Sequence, residues 1–178
     1  MDFTEKQLSS QRIYNGAILS LRRDTVSLPD GGTAFREVID HGGAVCVLPL
    51  FDDGRVGMVR QYRYSIESML LEIPAGKLDG DEEPRVGAAR ELEEETGLVA
   101  QKYDYMGCMY PAAAYDTELV HIYLARGLTQ GRAHLDEGEF LEIEKYHLSE
   151  LVDMVMAGKI TDGKTQIAIL KAARMMGM

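Results

Sequence analysis

The stretch GKLDGDEEPRVGAARELEEETGL, residues 76–98, places Glu91, Glu94 and Glu95 directly behind an arginine, Arg90. Pro84 suits a first helical turn, where its missing N–H costs nothing, and Gly97 suits the left-handed residue just past a C-terminus. The spacing predicts a helix of about three turns between them. At about 100° per residue, the three glutamates fall within one arc, and Val86, Ala88, Ala89 and Leu92 fill the neighbouring one. One flank reads as core and the other as carboxylate. Glu93 projects to the edge of the apolar arc and is left out of the functional acids, and Arg90, one turn before Glu94, can pair with it.

Carboxylates held this close repel one another unless a positive charge sits among them. Mg²⁺ takes oxygen ligands, keeps several waters and is commonly shared between one or two carboxylates and substrate phosphates, so the pattern points to phosphate chemistry. The plain alternative is a solvated acidic helix face. The flanking glycines argue against it. Gly76, Glu82, Arg90-Glu91-Leu92, Glu94-Glu95 and Gly97-Leu98 fall at intervals that resemble the Nudix box at each of its nine fixed positions.

That resemblance implies a loop–helix–loop that binds Mg²⁺ or Mn²⁺ and hydrolyses a nucleoside diphosphate linked to another moiety. By position, Glu91, Glu94 and Glu95 would be metal ligands, joined by the backbone carbonyl of Ala75. Arg90 would orient the glutamates, and Glu82 would support the helix or the outer metal shell. Gly76 and Gly97 are read as positions whose backbone a side chain would strain.

The chain has 178 residues, 46% of them apolar, enough for one domain core with an N-terminal appendage. No run approaches the roughly 18 apolar residues of a membrane span, and MDFTEKQLSSQR lacks the order of a signal peptide, so a cytoplasmic protein is expected. The net charge of −10 argues against a nucleic-acid partner. Residues 79–95 carry eight acids against two arginines, so a free polyphosphate would be repelled unless a cation reversed the local field. Cys46 and Cys108 both read as small core residues.

Outside the box, AILSLRRDTVSL and TAFREVID flank Pro29-Asp30-Gly31-Gly32 and read as a β-hairpin. AVCVLPLF and RVGMVRQYRY flank Asp52-Asp53-Gly54, a second hairpin signal. YDYMGCMY, ELVHIYLARGL and FLEIEKYHL read as strands. Two helices close the chain, one with Leu151, Val152, Val155 and Met156 at helical spacing and one with Ile167, Leu170 and Lys171.

The expected fold is therefore α+β: a Nudix-type α/β/α sandwich with a mixed sheet over residues 42–178, preceded by an antiparallel β-hairpin subdomain over residues 1–41. REV–ID–HGGAV, MVRQYR, LEIPAGK, the box, a loop from Tyr110 to Glu118 and the closing GKITDGKTQIAILKA are together similar to the ADP-ribose pyrophosphatases of the superfamily. In that family the N-terminal hairpin is exchanged across a homodimer, so a dimer is implied.

Carried over by position, Tyr14 would stack on adenine, Arg36 and Arg63 would hold phosphates, and Glu72 would lie near the terminal ribose or pyrophosphate. Glu118 would be a mobile general base or an additional metal ligand, with Glu94 and Arg90 completing the catalytic set. The loop departs from the family pattern, because Ala113 and Ala114 stand where a Pro-Gly is usual and Pro111 lies two residues earlier. The implied reaction is metal-assisted hydrolysis of ADP-ribose to AMP and ribose 5-phosphate. The alternatives are another nucleoside diphosphate sugar, such as GDP-mannose or a UDP-sugar, and a non-catalytic Nudix protein that binds a nucleotide sugar.

Overall fold

In the computed structural model, residues 2–135 and 140–178 are described. Two compact units emerge, one of residues 1–43 with 110–119 and one of residues 44–109 with 120–178.

The first unit is built on an antiparallel sheet of β1 (Lys6–Asn15), β2 (Ser20–Ser27) and β3 (Thr33–Asp40), in that order. The β2–β3 hairpin forms where expected, closed by the Leu28 N–H donating to the Gly32 carbonyl at 2.8 Å. The first strand is an addition to the expected hairpin. Every residue of KQLSSQRIYN is exposed, so no buried face imprints the period-two alternation by which a strand is recognised. Residues 110–119 join this unit by backbone pairing: Ile39 N–H donates to the Tyr115 carbonyl at 2.7 Å, and Thr117 N–H to the Ile39 carbonyl at 3.1 Å.

The second unit begins with β4 (Ala44–Pro49), buried along its whole length because it is covered on both faces. Cys46 and Leu48 enter one apolar cluster, and Val45 and Val47 enter the other. The following strand, β5 (Arg55–Arg63), does not pair with β4 as a hairpin. The turn at Asp52-Asp53-Gly54 closes, with Phe51 N–H on the Arg55 carbonyl at 2.8 Å, but only a single bridge, Leu50 to Val56, links the two sides. The strands then part into different sheets.

A 3₁₀ turn (Tyr64–Ile66) leads to β6 (Ser68–Glu72) and then β7 (Ala75–Lys77). Helix α1 (Pro84–Thr96), β8 (Leu98–Met109), β9 (Val120–Gln130), β10 (Leu141–His147), α2 (Leu148–Met156) and α3 (Gly163–Met175) complete the unit. One sheet is antiparallel, in the order β10-β5-β6; the other is mixed, β7-β4-β9-β8, with β4 and β9 parallel. The apolar side of α1, through Ala88 and Leu92, packs with Val45, Val47, Tyr123 and Ala125. Leu151, Val155, Ala168, Ile169 and Ala172 from α2 and α3 pack with Cys46, Leu48, Ile122 and Leu124 from the opposite face. This is the α/β/α sandwich expected from the sequence.

Three expectations about faces change. Val86 is exposed, so the buried face of α1 runs through Gly87, Ala88, Glu91, Leu92 and Glu95 and includes two of the acids. In α3 the small residues Ala168, Ala172 and Ala173 approach the core with Ile169, while Leu170 stays exposed. Cys46 is fully buried, but Cys108 is exposed on β8. Among the described residues, no helix is long and apolar enough to cross a membrane.

Candidate active site

Helix α1 starts and stops where its residue types dictate. Pro84 occupies the first turn, Glu83 caps it by accepting from Val86 N–H at 3.1 Å, and Gly97 ends it at φ 68°. That left-handed conformation is the one expected at a helix end. The helix presents Glu91, Glu94 and Glu95 to β7, and these three line one cavity of about 370 Å³ with Ala75, Gly76, Lys77, Asp79 and Arg90.

Arg90 organises the cavity. Its Nε and Nη2 donate to the two carboxylate oxygens of Glu82, at 3.1 and 2.9 Å. Its Nη1 donates to Glu91 Oε1 at 2.7 Å and Glu94 Oε2 at 2.9 Å, and Nη2 also reaches the Lys77 carbonyl at 2.9 Å. The fork of one guanidinium thus ties the loop, the strand and the helix together. Its hydrogen bonds to Glu82, above all, raise the guanidinium above its ordinary value, and Arg90 in turn holds the Glu82 carboxyl below its own. The i,i+4 contact from Arg90 to Glu94 expected from helical spacing is present.

Gly76 is required here for space rather than for backbone conformation. Its φ is not among the positive values, yet a Cβ on it would lie 2.0 Å from Glu91 Oε1. Beside it, Ala75 N–H donates to Glu95 Oε2 at 3.3 Å, so β7 and α1 touch through backbone and carboxylate.

The donors around this cavity are all oxygen, the set a hard divalent cation takes. Among the described residues, no three acids, histidines or cysteines are gathered as a coordination shell, because Glu91 and Glu94 turn toward Arg90. The donor chemistry fits Mg²⁺ or Mn²⁺, and a cation would compete with Arg90 for those two carboxylates.

A second polar group lies in the same unit. Arg63, at the end of β5, forms a two-pronged pair with Glu72 at the end of β6, Nε to Oε1 at 2.7 Å and Nη2 to Oε2 at 2.8 Å. Glu72 is only 1% exposed. Burial pushes its carboxyl up, but Arg63 and Lys164 together hold it below the usual range. Hydrogen bonding to Glu72 raises the Arg63 guanidinium, and the charge of Glu95 acts on it in the same direction.

The remaining expected residues belong to the first unit. Tyr14 is exposed on β1, and its ring lies close enough to Gly16 that a Cβ there would meet Tyr14 Oη at 2.5 Å. Arg36, on β3, pairs with Glu5, Nε to Oε2 at 2.9 Å. Glu118 closes a segment turned on Ala112, whose carbonyl accepts from both Tyr115 and Asp116 N–H at 3.0 Å. The Glu118 backbone N–H is taken by Asp116 Oδ1 at 2.8 Å, and its carboxylate lies 3.9 Å from His41 Nε2. His41 accepts from Gly43 N–H at its Nδ1, at 3.0 Å, and its Nε2 is the ring nitrogen on the Glu118 side.

Sequence reasoning passed over His41, Lys164 and Thr165. His41 sits in the quoted HGG run and Lys164-Thr165 in the quoted closing run, but only their placement beside Glu118 and Glu72 marks them.

The family profile described as "NUDIX domain" matches residues 40–167, and one described as "Nucleoside diphosphate sugar hydrolase N-terminal domain" matches residues 5–39. The chain is 38% identical over 169 residues to a methanol dehydrogenase activator of Bacillus methanolicus, covering 94% of this chain and 91% of that protein. It is 39% identical over 167 residues to an ADP-ribose pyrophosphatase of Bacillus subtilis (strain 168), covering 93% and 90%. A crystal structure of an ADP compounds hydrolase shares the fold with a TM-score of 0.88 at 19% identity, over 99% of this chain and 97% of the other. With the box acids, their arginine and their two glycines set on a strand–loop–helix of this fold, the chain belongs to the Nudix family.

Proposed function

We propose that this chain is a metal-dependent pyrophosphohydrolase that cleaves ADP-ribose to AMP and ribose 5-phosphate. The observation that carries the reading is the convergence of Glu91, Glu94, Glu95 and Arg90 with the Ala75 strand on one cavity, in a chain 39% identical to an ADP-ribose pyrophosphatase.

Glu91, Glu94, Glu95 and the Ala75 carbonyl would hold Mg²⁺, or Mn²⁺ in its place. When bound, such an ion offsets phosphate charge and makes water a better nucleophile. Arg90 keeps the helix acids oriented toward β7 while Glu82 fixes Arg90 from behind. Arg63 receives a substrate phosphate, with Glu72 setting the plane of its guanidinium and lying near the terminal ribose or pyrophosphate. Glu118 takes the proton from the attacking water, with the His41 ring 3.9 Å from its carboxylate. Tyr14 offers an aromatic face to adenine, and Arg36 a guanidinium to phosphate.

The protein works in the cytoplasm as a homodimer formed through its N-terminal region, residues 1–41. Support for the dimer is the first unit's surface: β1 is exposed along all ten residues, and Leu8, Ile13 and Phe35 stand exposed on its sheet. Light scattering on the purified protein tests the oligomeric state.

The test of function is a product assay with Mg²⁺ against ADP-ribose, GDP-mannose, UDP-glucose and diadenosine polyphosphates. AMP released from ADP-ribose well above the others supports the reading. Preference for another sugar keeps the pyrophosphate chemistry and moves the error to the segment around Ala113 and Ala114.

A further inference from the structure

The start of α3 is wired to the strand end that carries Glu72. Asp162 caps the helix, its Oδ2 accepting from Thr165 N–H at 3.0 Å, and its Oδ1 accepts from Lys164 Nζ at 3.0 Å. Lys164 also donates to Glu72 Oε2 at 2.5 Å, and the fully buried Thr165 accepts from Ile73 N–H at its Oγ1, at 3.0 Å. One helical turn therefore grips the side chain of residue 72 and the backbone of residue 73. The next residues are tied down as well, the Pro74 carbonyl by Val47 N–H at 2.9 Å and Ala75 N–H by Glu95 at 3.3 Å.

We infer that Lys164 and Thr165 are positioning residues for substrate binding, Lys164 by sharing Glu72 with Arg63 and Thr165 by fixing the strand that leads from Glu72 to Ala75. The inference rests on the reading of Arg63 and Glu72 as substrate-contacting residues. Its physical basis is charge as well as geometry. Arg63, Lys164, Glu72 and Asp162 form a group of two cations and two anions, in which Lys164 is 17% and Glu72 1% exposed by side chain. Without Lys164 the group keeps two carboxylates against one guanidinium, in a poorly solvated place that a pyrophosphate must approach. Arg63, already paired with both Glu72 oxygens, would then be the group's one remaining cation and less available to phosphate. Burial works against the Lys164 charge, and the adjacent Asp162 and Glu72 more than restore it.

The experiment compares Lys164→Met, Lys164→Arg, Thr165→Val, Glu72→Gln and the double variant Lys164→Met/Glu72→Gln with the parent protein. It measures kcat and KM for ADP-ribose at saturating Mg²⁺, thermal midpoints, and Mn²⁺ binding by electron paramagnetic resonance. Lys164→Met is expected to raise KM about tenfold, the scale of one lost charge-assisted contact, with kcat changed by less than about threefold. Lys164→Arg recovers most of that loss, the double variant is no worse than Glu72→Gln alone, and Mn²⁺ binding is unchanged because the box acids are intact. Thr165→Val raises KM in the same direction.

If Lys164→Met lowers only the thermal midpoint and leaves KM within about twofold while Glu72→Gln raises it, the positioning role is overturned and the Glu72 reading stands. If Glu72→Gln leaves KM unchanged, the reading of Glu72 falls and this inference with it. Should Lys164→Met fail to fold, Lys164→Gln, which keeps a donor without the charge, carries the same measurement.

Discussion

Gly76 and the carboxylate of Glu91 share a space that has no room for one more carbon: a Cβ at residue 76 would lie 2.0 to 2.3 Å from the Glu91 carboxyl atoms. Strand β7 and helix α1 approach this closely because the acid needs to stand directly over the strand backbone. Gly76→Ala would therefore leave the sheet intact and push Glu91 away from the cavity. Activity with Mg²⁺ should fall about 100-fold, the scale of an ångström-sized misplacement, while the circular dichroism spectrum stays that of the parent. Steady-state kinetics beside the far-ultraviolet spectrum checks this, and parental activity would show that Glu91 has another place to go.

Glu95 and Glu118 separate two proposed roles. Glu95→Gln should abolish turnover and weaken Mn²⁺ binding, with the protein still folded. Glu118→Gln should lower kcat by about 10² to 10⁴, the range of a lost general base, yet bind Mn²⁺ as before. Equal loss of metal by both variants would make Glu118 a ligand instead.

Glu72 gives a pH dependence with a definite sign. Burial raises its carboxyl, but Arg63 and Lys164 hold it below the ordinary 4.5. A folded-state value below the unfolded one means that the unfolded chain binds the proton first. The stabilisation is thus fully present above the ordinary value and is lost as pH falls through the depressed one. Thermal midpoints recorded from about pH 6 to about pH 3 should fall on acidification, and Glu72→Gln should make that limb shallower at the cost of a lower midpoint at neutral pH. An unchanged acid limb in the variant would remove Glu72 from the linkage.

The two thiols should differ in reactivity. Cys46 is fully buried on β4, where burial pushes its thiol up to about 12, whereas Cys108 is exposed. A disulfide reagent at neutral pH should titrate one thiol per folded chain and both after denaturation. Rapid reaction of both in the native protein would contradict the packing of β4.

How far the sequence could be read depended on where a residue type has a single physical use. Pro84 and Gly97 bound the helix, and the spacing of Glu91, Glu94 and Glu95 placed the acids on one side of it. Arg90 followed from the i,i+4 rule, but its hold on Glu82 and Lys77 depends on a loop path that spacing does not encode. β1 escaped because an exposed strand carries no alternation, and β4 and β5 parted because a turn motif specifies a reversal and not a ladder. Lys164 escaped for a further reason. A lysine in a helical register reads as solvated, and only the fold brings it 92 positions back along the chain to Glu72.

The place of Arg90 among Glu82, Glu91 and Glu94 has a consequence for how the protein is made and kept. The acids already own a counter-ion, supplied by the same helix, so their mutual repulsion is relieved before any metal arrives. Folding is then independent of metal supply, unlike that of a small zinc module, in which ion binding and folding are one event. A chelator should silence the enzyme and barely move its melting temperature. A divalent ion held by Glu91 and Glu94 would compete with a resident guanidinium, so the scaffold around the site would stay assembled with the metal or without it.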